Sequence, residues 1–378
     1  MTDSCITCGL PSTRPSVTLD GTGVCSVCRA HQIKTSGIDW DARAEALRKI
    51  AETARGKGPY DAIVPFGGGK DGAYTLYYLT RVMNMSCLAV TVDNRFLREC
   101  AWRNCAAVLD ALGVDQIIFR PPFALVKRMM RAGFEQAGTL CWHCNASIAA
   151  FPMRMAVSLG VPLVVYAHSS AEYHSYPGRT YADSPDGDVV DEGYQALSSG
   201  LSFERMAAAL PEDDQKSLSP FRFPDKAKLE RAGVRSIFLS NYIFWDERSQ
   251  AATIELELGW QGSVQEGVPA DFGYEKIDCY LVGGRDYLRY IQEGYGRGAR
   301  LGAMEVRLGR LTRDEAIALA KRSDGRRPAS LDRVLGLLQV DEEVFLDGAI
   351  SYAMPARDFD AEDVEPAPAL DDAGDMPG

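Results

Sequence analysis

No apolar stretch in these 378 residues approaches the roughly 20 that a membrane-spanning helix needs. The opening Met1-Thr2-Asp3-Ser4-Cys5 has no charged and then apolar signal segment, so a cytoplasmic protein is expected. No internal repeat recurs along the chain. Excess positive charge is missing as well: the formal net charge is −11, and Arg357 to Gly378 holds eight acidic residues against one basic, about −7 of that total. The remainder is only mildly acidic, which argues against broad nucleic-acid binding and leaves room only for a local patch. Hydrophobic content of 46% and charged content of 25% are ordinary for a globular chain, and the length divides naturally into two or three units.

Ten cysteines are present. In a cytosolic chain they read as ligands or catalytic thiols before disulfides. Cys5-x2-Cys8 and Cys25-x2-Cys28 stand sixteen residues apart, a spacing that suits a zinc ribbon, with a rubredoxin-like iron site as the alternative. Four thiolates leave no position open for water, so the zinc expected on Cys5, Cys8, Cys25 and Cys28 is structural. A segment this short buries little core, and the metal would supply most of its folding energy, on the order of 10 kcal/mol. A third pair, Cys141-x2-Cys144, lies mid-chain, and His143 inside it reads as an exposed polar residue.

The stretch Pro65-Phe66-Gly67-Gly68-Gly69-Lys70-Asp71-Gly72 joins a short apolar run, Tyr60 to Val64, to a helical pattern, Ala73 to Val82. Strand, triple-glycine turn and helix N-terminus together make an anion site: backbone approaches phosphate closely, and the helix dipole favours negative charge. No Gly-Lys-Ser/Thr closes the loop, so the Walker pattern is absent. Further strands are expected at 86–92, 116–119 and 162–167, alternating with helices at 39–58, 96–112, 123–137 and 146–159. That alternation predicts a parallel, doubly wound α/β sheet. Ligands of such sheets sit outside the carboxyl ends of the strands, where the glycine turn, Asp93-Asn94 and His168-Ser169 all fall. Residues 174–225 are rich in Gly, Pro, Ser, Asp and Tyr and read as an insertion or lid; 235–246 form a compact stretch. The expected organisation is a ribbon over 1–36, a nucleotide-binding α/β domain over 37–173, an insertion and substrate region over 174–275, a mainly helical region over 276–355 and a disordered acidic tail over 356–378.

The glycine turn resembles the PP-loop of ATP pyrophosphatases, Ser-Gly-Gly-x-Asp-Ser, with Gly67 and Gly72 in place of the two serines. Together with Thr13-Arg14-Pro15 between the cysteine knuckles, several later stretches are similar to the N-acetyl sugar amidotransferase family. These are Thr139-Leu140-Cys141-Trp142-His143-Cys144, Leu239 to Asp246, Gly294-Tyr295-Gly296-Arg297 and Arg307 to Ala316. The resemblance covers nearly everything except the tail. It implies ATP-dependent conversion of an acetamido group, on a sugar or sugar nucleotide destined for bacterial surface structures such as lipopolysaccharide, into an acetamidine. A glutaminase and its cyclase-like partner would supply the ammonia.

On that resemblance Gly67, Gly68, Gly69 and Gly72 line the pyrophosphate and Lys70 compensates charge nearby. Asp71 orients Mg2+ or the loop, Asp93 and Ser169 serve the nucleoside side, and Arg297 neutralises phosphate. Two other readings stay open. In one, Cys141 and Cys144 carry persulfide or bind an iron–sulfur cluster in a sulfurtransferase, with Cys279 as a third ligand that nothing in the sequence places nearby. In the other, the loss of both serines leaves a nucleotide-binding homologue without turnover.

Overall fold

The computed structural model describes residues 3–13, 17–167, 201–353 and 370. Ser169 with His168, the first part of the 174–225 stretch and all of the acidic tail except Leu370 lie outside the described residues. Five parallel strands form one sheet in the order β3-β2-β1-β4-β5. They are β1 (Ala62–Pro65), β2 (Cys87–Val92), β3 (Asp115–Phe119), β4 (Leu163–Tyr166) and β5 (Arg235–Phe238). The central three read as unbroken apolar runs because helices cover both faces, whereas edge strand β3 exposes Asp115 and Ile118. β5 comes from the compact stretch at 235–246. Its four residues, Arg235-Ser236-Ile237-Phe238, are too few for periodicity to separate a strand from a turn, and it is an edge strand paired only to β4.

Helices α1 (Ser26–Ser36) and α2 (Trp40–Ala54) precede β1, and α3 (Lys70–Tyr77), α4 (Glu99–Leu112), α5 (Phe123–Ala137) and α6 (Trp142–Leu159) run between the strands. Beyond β4 come α7 (Phe203–Ala208), α8 (Glu212–Gln215), α9 (Lys226–Ala232) and α10 (Glu247–Leu258). A helical region follows: α11 (Val282–Glu293), α12 (Arg297–Arg307), α13 (Arg313–Ser323), α14 (Leu331–Leu338) and α15 (Glu342–Ser351). Thr312 and Glu315 close a capping box at the start of α13, so part of the Arg307 to Ala316 motif is a helix-start signal. α6 begins four residues before the position expected from periodicity. Cys141 is its N-cap and Cys144 sits in its first turn.

One face of the sheet packs Ala62, Val64 and Ile237 against Leu47, Leu76 and Ile254, and the other packs Ile63, Leu88 and Val164 against Met153. The N-terminal knuckles borrow a core: Leu10 and Val17 pack with Tyr295, Ala299 and Ala303 of the α12 region. Among the described residues no helix is long and apolar enough to cross a membrane. Since the chain crosses from one side of β1 to the other, the carboxyl ends of β1 and β4 flank the topological switch point, and the glycine turn leaves β1 there.

Candidate functional site

The turn is held in shape from behind. Gly68 has φ +86°, and a Cβ on it would stand 2.1 Å from the Ala101 carbonyl oxygen, so only glycine fits. The Gly68 carbonyl accepts from the Trp260 indole at 2.8 Å and from Asn104 at 3.4 Å. In a trans peptide the next N–H points the opposite way, so Gly69 directs its N–H away from these groups. None of the N–H groups of Gly67, Gly68 and Gly69 is hydrogen-bonded among the described residues. Three donors at the head of α3 make a concavity suited to phosphate oxygens.

The two glycines that stand where the PP-loop has serine differ. A Cβ at Gly72 would meet Phe66 and the Pro65 carbonyl at 2.9 Å, whereas one at Gly67 meets only Leu97 at 3.9 Å. Gly67→Ser should therefore leave the melting temperature nearly unchanged. Gly72→Ser should cost on the order of 1–3 kcal/mol through overpacking. Paired thermal melts check this, and a reversed order would show that the local packing is misjudged.

Behind the turn lies a buried ion network. Lys70 Nζ meets Asp71 at 3.1 Å, Glu247 at 3.0 Å and Glu275 at 2.8 Å. Arg297, at the head of α12, donates to Glu275 at 2.6 Å and holds Asp286 through Nε and Nη2 at 2.5 and 3.0 Å. Burial alone would raise both acids. Lys70, Lys276 and Arg297 outweigh it at Glu275, and Arg297 and Arg285 do so at Asp286, holding both well below the usual carboxylate range. Lys70 and Arg297 thus sit among carboxylates, and they tie the glycine turn to α10, α11 and α12. Sequence reasoning missed Glu247, Glu275 and Asp286, which no local motif marks.

At the end of β2, Asp93 and Asn94 form successive Asx turns, accepting from Arg95 N at 2.9 Å and Phe96 N at 2.8 Å, with Arg95 at φ +73°. Asp93 is buried and also accepts from Arg120. The Asn94 amide reaches Cys144 Sγ at 3.5 Å and Cys279 Sγ at 3.4 Å, so those sulfurs are at most about 7 Å apart. Cys279 arrives through a bridge to Leu97, backed by Tyr280 N–H donating to the Phe96 carbonyl at 3.0 Å. Burial pushes the thiols of Cys141 and Cys144 up, and that of Cys279 up to about 12, so as free thiols they stay protonated at neutral pH. His143 corrects the expectation of an exposed residue. It is buried edge-on to Phe96, neither ring nitrogen makes a well-formed hydrogen bond, and burial lowers its pKa to about 4.

Cys5, Cys8, Cys25 and Cys28 are buried and can hold one metal ion. Sulfur separations of 3.9 Å (Cys5–Cys28) and 3.7 Å (Cys8–Cys25) match the ~3.8 Å edge of a tetrahedron with zinc–sulfur bonds of ~2.3 Å. Cys25 N–H donates to Cys5 Sγ at 3.2 Å. Among the described residues no other group of His, Cys, Asp or Glu closes so tightly.

No model of a known protein family matches the chain, and no curated protein matches it. Among the solved structures similar to it are the following two. One is the U34-tRNA thiolase NcsA from Methanococcus maripaludis with its [4Fe-4S] cluster, at 14% identity and a TM-score of 0.32 over 82% of this chain and 87% of that one. The other is an NH3-dependent NAD synthetase from Campylobacter jejuni in complex with nitrate, at 12% identity and a TM-score of 0.29 over 61% of this chain and 100% of that one.

Proposed function

We propose that this chain is a PP-loop enzyme that adenylates an amide oxygen of an N-acetylated sugar and replaces it with ammonia-derived nitrogen, giving an acetamidine. The observation that carries the nucleotide half is the Gly67–Gly69 turn, with three unpaired N–H groups above the switch point of the sheet. The family resemblance of the sequence supports the acceptor half. The amide oxygen attacks the α-phosphorus of ATP, pyrophosphate leaves, and the nitrogen's proton is lost, giving an O-adenylated imidate. Ammonia then adds at the carbon and AMP departs. Gly67, Gly68 and Gly69 hold the pyrophosphate, and Gly72 lets α3 start close behind it. Asp71 fixes the loop through Lys70, and Lys70 and Arg297 position rather than touch the nucleotide. Asp93 and Ser169 serve the nucleoside side. Cys5, Cys8, Cys25 and Cys28 hold a structural zinc, and a glutaminase with its cyclase-like partner supplies ammonia.

A second reading, sulfur transfer, is favoured by one arrangement: the Asn94 amide gathers Cys144 and Cys279 beside Cys141. Three protonated thiols, one buried and two half-buried, are poor persulfide carriers, but a metal cluster would deprotonate them. One experiment separates the two. Purified anaerobically, the protein should be colourless, and AMP release should require both an N-acetylated nucleotide sugar and ammonia. Cys141→Ser should lower stability more than turnover. A brown preparation with iron beyond the zinc, or a well-folded Cys141→Ser protein without product, would replace nitrogen chemistry by sulfur chemistry.

A further inference from the structure

Asp278 stands between the two centres described above, next to Cys279 in sequence and against the glycine turn in space. Its backbone is fixed: the Asp278 carbonyl accepts from Arg98 N at 3.1 Å, the Ile277 carbonyl accepts from Arg98 Nη1 at 3.3 Å, and Cys279 bridges to Leu97. The carboxylate carbon and its two oxygens lie 3.7, 3.8 and 3.9 Å from the point where a Gly69 Cβ would stand. It is half-buried, and among the described residues it makes no hydrogen bond and no ion pair.

The contrast with Asp71 is informative. Asp71 meets Lys70 at 3.1 Å and Lys276 at 3.6 Å, so two ammonium groups stand against its charge, Lys70 being shared with Glu247 and Glu275. Asp278 has no such partner, yet it lies within van der Waals reach of a turn shaped for phosphate. A phosphoryl group held by the glycine N–H groups would face an uncompensated carboxylate across a few ångströms. Like charges so close disfavour each other, and a divalent cation between them reverses the sign of the interaction. Mg2+ is characteristically held by one or two carboxylates plus substrate phosphates, with water completing its octahedron.

We infer that Asp278 is the protein ligand of the divalent cation that accompanies the nucleotide, and that Asp71 serves the loop instead. This rests on the nucleotide reading of the glycine turn and adds to it the residue through which the metal acts. It also links the two centres, because one dipeptide, Asp278-Cys279, would present a metal-bound phosphate on one side and a thiol on the other.

Calorimetry with α,β-methylene-ATP in EDTA and in Mg2+ tests it on the full chain. Wild type should bind the analogue at least about tenfold more tightly with Mg2+. In Asp278→Asn the Mg2+ gain should fall below about threefold, while affinity in EDTA should rise above wild type, because a repelling carboxylate is gone. A merely structural role would weaken binding in both conditions, so this change of sign is the discriminating readout. Asp71→Asn should bind more weakly in both and keep the Mg2+ gain. With Mn2+ in place of Mg2+, the electron paramagnetic resonance spectrum of the nucleotide complex should change between wild type and Asp278→Asn, where phosphates and water alone hold the ion. Zinc content and melting temperature confirm that the variants fold. Retention of the Mg2+ gain by Asp278→Asn, or its loss in Asp71→Asn alone, overturns the assignment and leaves the nucleotide reading standing. No binding by wild type in either condition overturns both.

Discussion

Cys25→Ser should lose its zinc, with metal content falling from about one per chain to about zero, and should lose the ordered N-terminal knuckles with it. Serine is a poor zinc ligand, and three thiolates crowded within 4.8 Å repel one another once the cation is gone. Structural zinc in small domains supplies about 10–16 kcal/mol of apparent binding energy, far more than Leu10, Val17 and their few apolar neighbours contribute. The damage should not stop at residue 36. Tyr295, Ala299 and Ala303 share the apolar cluster of the knuckles, Arg307 lies 3.9 Å from Cys8 Sγ, and the Gly9 backbone packs so close to Ile317 that a Cβ would stand 2.8 Å from it. Hydrogen exchange should therefore quicken across the knuckles and the first two turns of α12, while the five strands keep their protection. Iron instead of zinc in wild type, or a zinc-free variant with unchanged exchange, would defeat this account.

The sequence marks what is local and is silent about what is distant. β1, the glycine turn and α3 are contiguous, so their order and chemistry are legible from apolar runs and glycine spacing. The four knuckle thiols are legible for the same reason, since C-x2-C pairs carry metal geometry within a few residues. The partners that complete the site are not. Lys70 meets Glu275 across 205 residues, Trp260 reaches Gly68 across 192, and Asn94 reaches Cys279 across 185. No periodicity spans such distances; only the sheet order brings those segments to one edge. His143 shows the opposite failure. A polar residue between two cysteines suggests exposure, yet the first turn of α6 faces Phe96 and Asn94, and the side chain has nowhere to go but inward. Gly72 is legible only in outline: sequence shows that a hydroxyl is missing, and the packing of Phe66 and the Pro65 carbonyl shows why this backbone has no room for one.

Arg297→Ala should be among the most destabilising substitutions in the α/β and helical body, costing about 3–5 kcal/mol at neutral pH, the range for removing one partner of a buried pair. Glu275 and Asp286 are both buried, and both depend on the Arg297 guanidinium. Without it Glu275 keeps Lys70 at 2.8 Å, but among the described residues Asp286 is left with only Arg285 Nε at 3.2 Å. The sign of the pH dependence follows. Native pKa values below the unfolded values mean that both carboxylates stabilise the fold above the ordinary carboxylate pKa of ~4, and that this contribution is lost as pH falls through the depressed native values. In Arg297→Ala, burial would push Asp286 upward, so the acid is readily neutralised. The gap between variant and wild type should thus be widest near pH 7 and narrow below about pH 4, as urea midpoints at the two pH values will show. Arg297→Lys should recover part of the stability, since an ammonium restores one charge but not the paired contacts to Asp286. The same variants separate positioning from direct contact with phosphate. If Arg297 positions, nucleotide affinity should fall in step with stability across Ala and Lys. A stable Arg297→Ala protein that loses nucleotide binding a hundredfold would instead place the guanidinium on the phosphate itself.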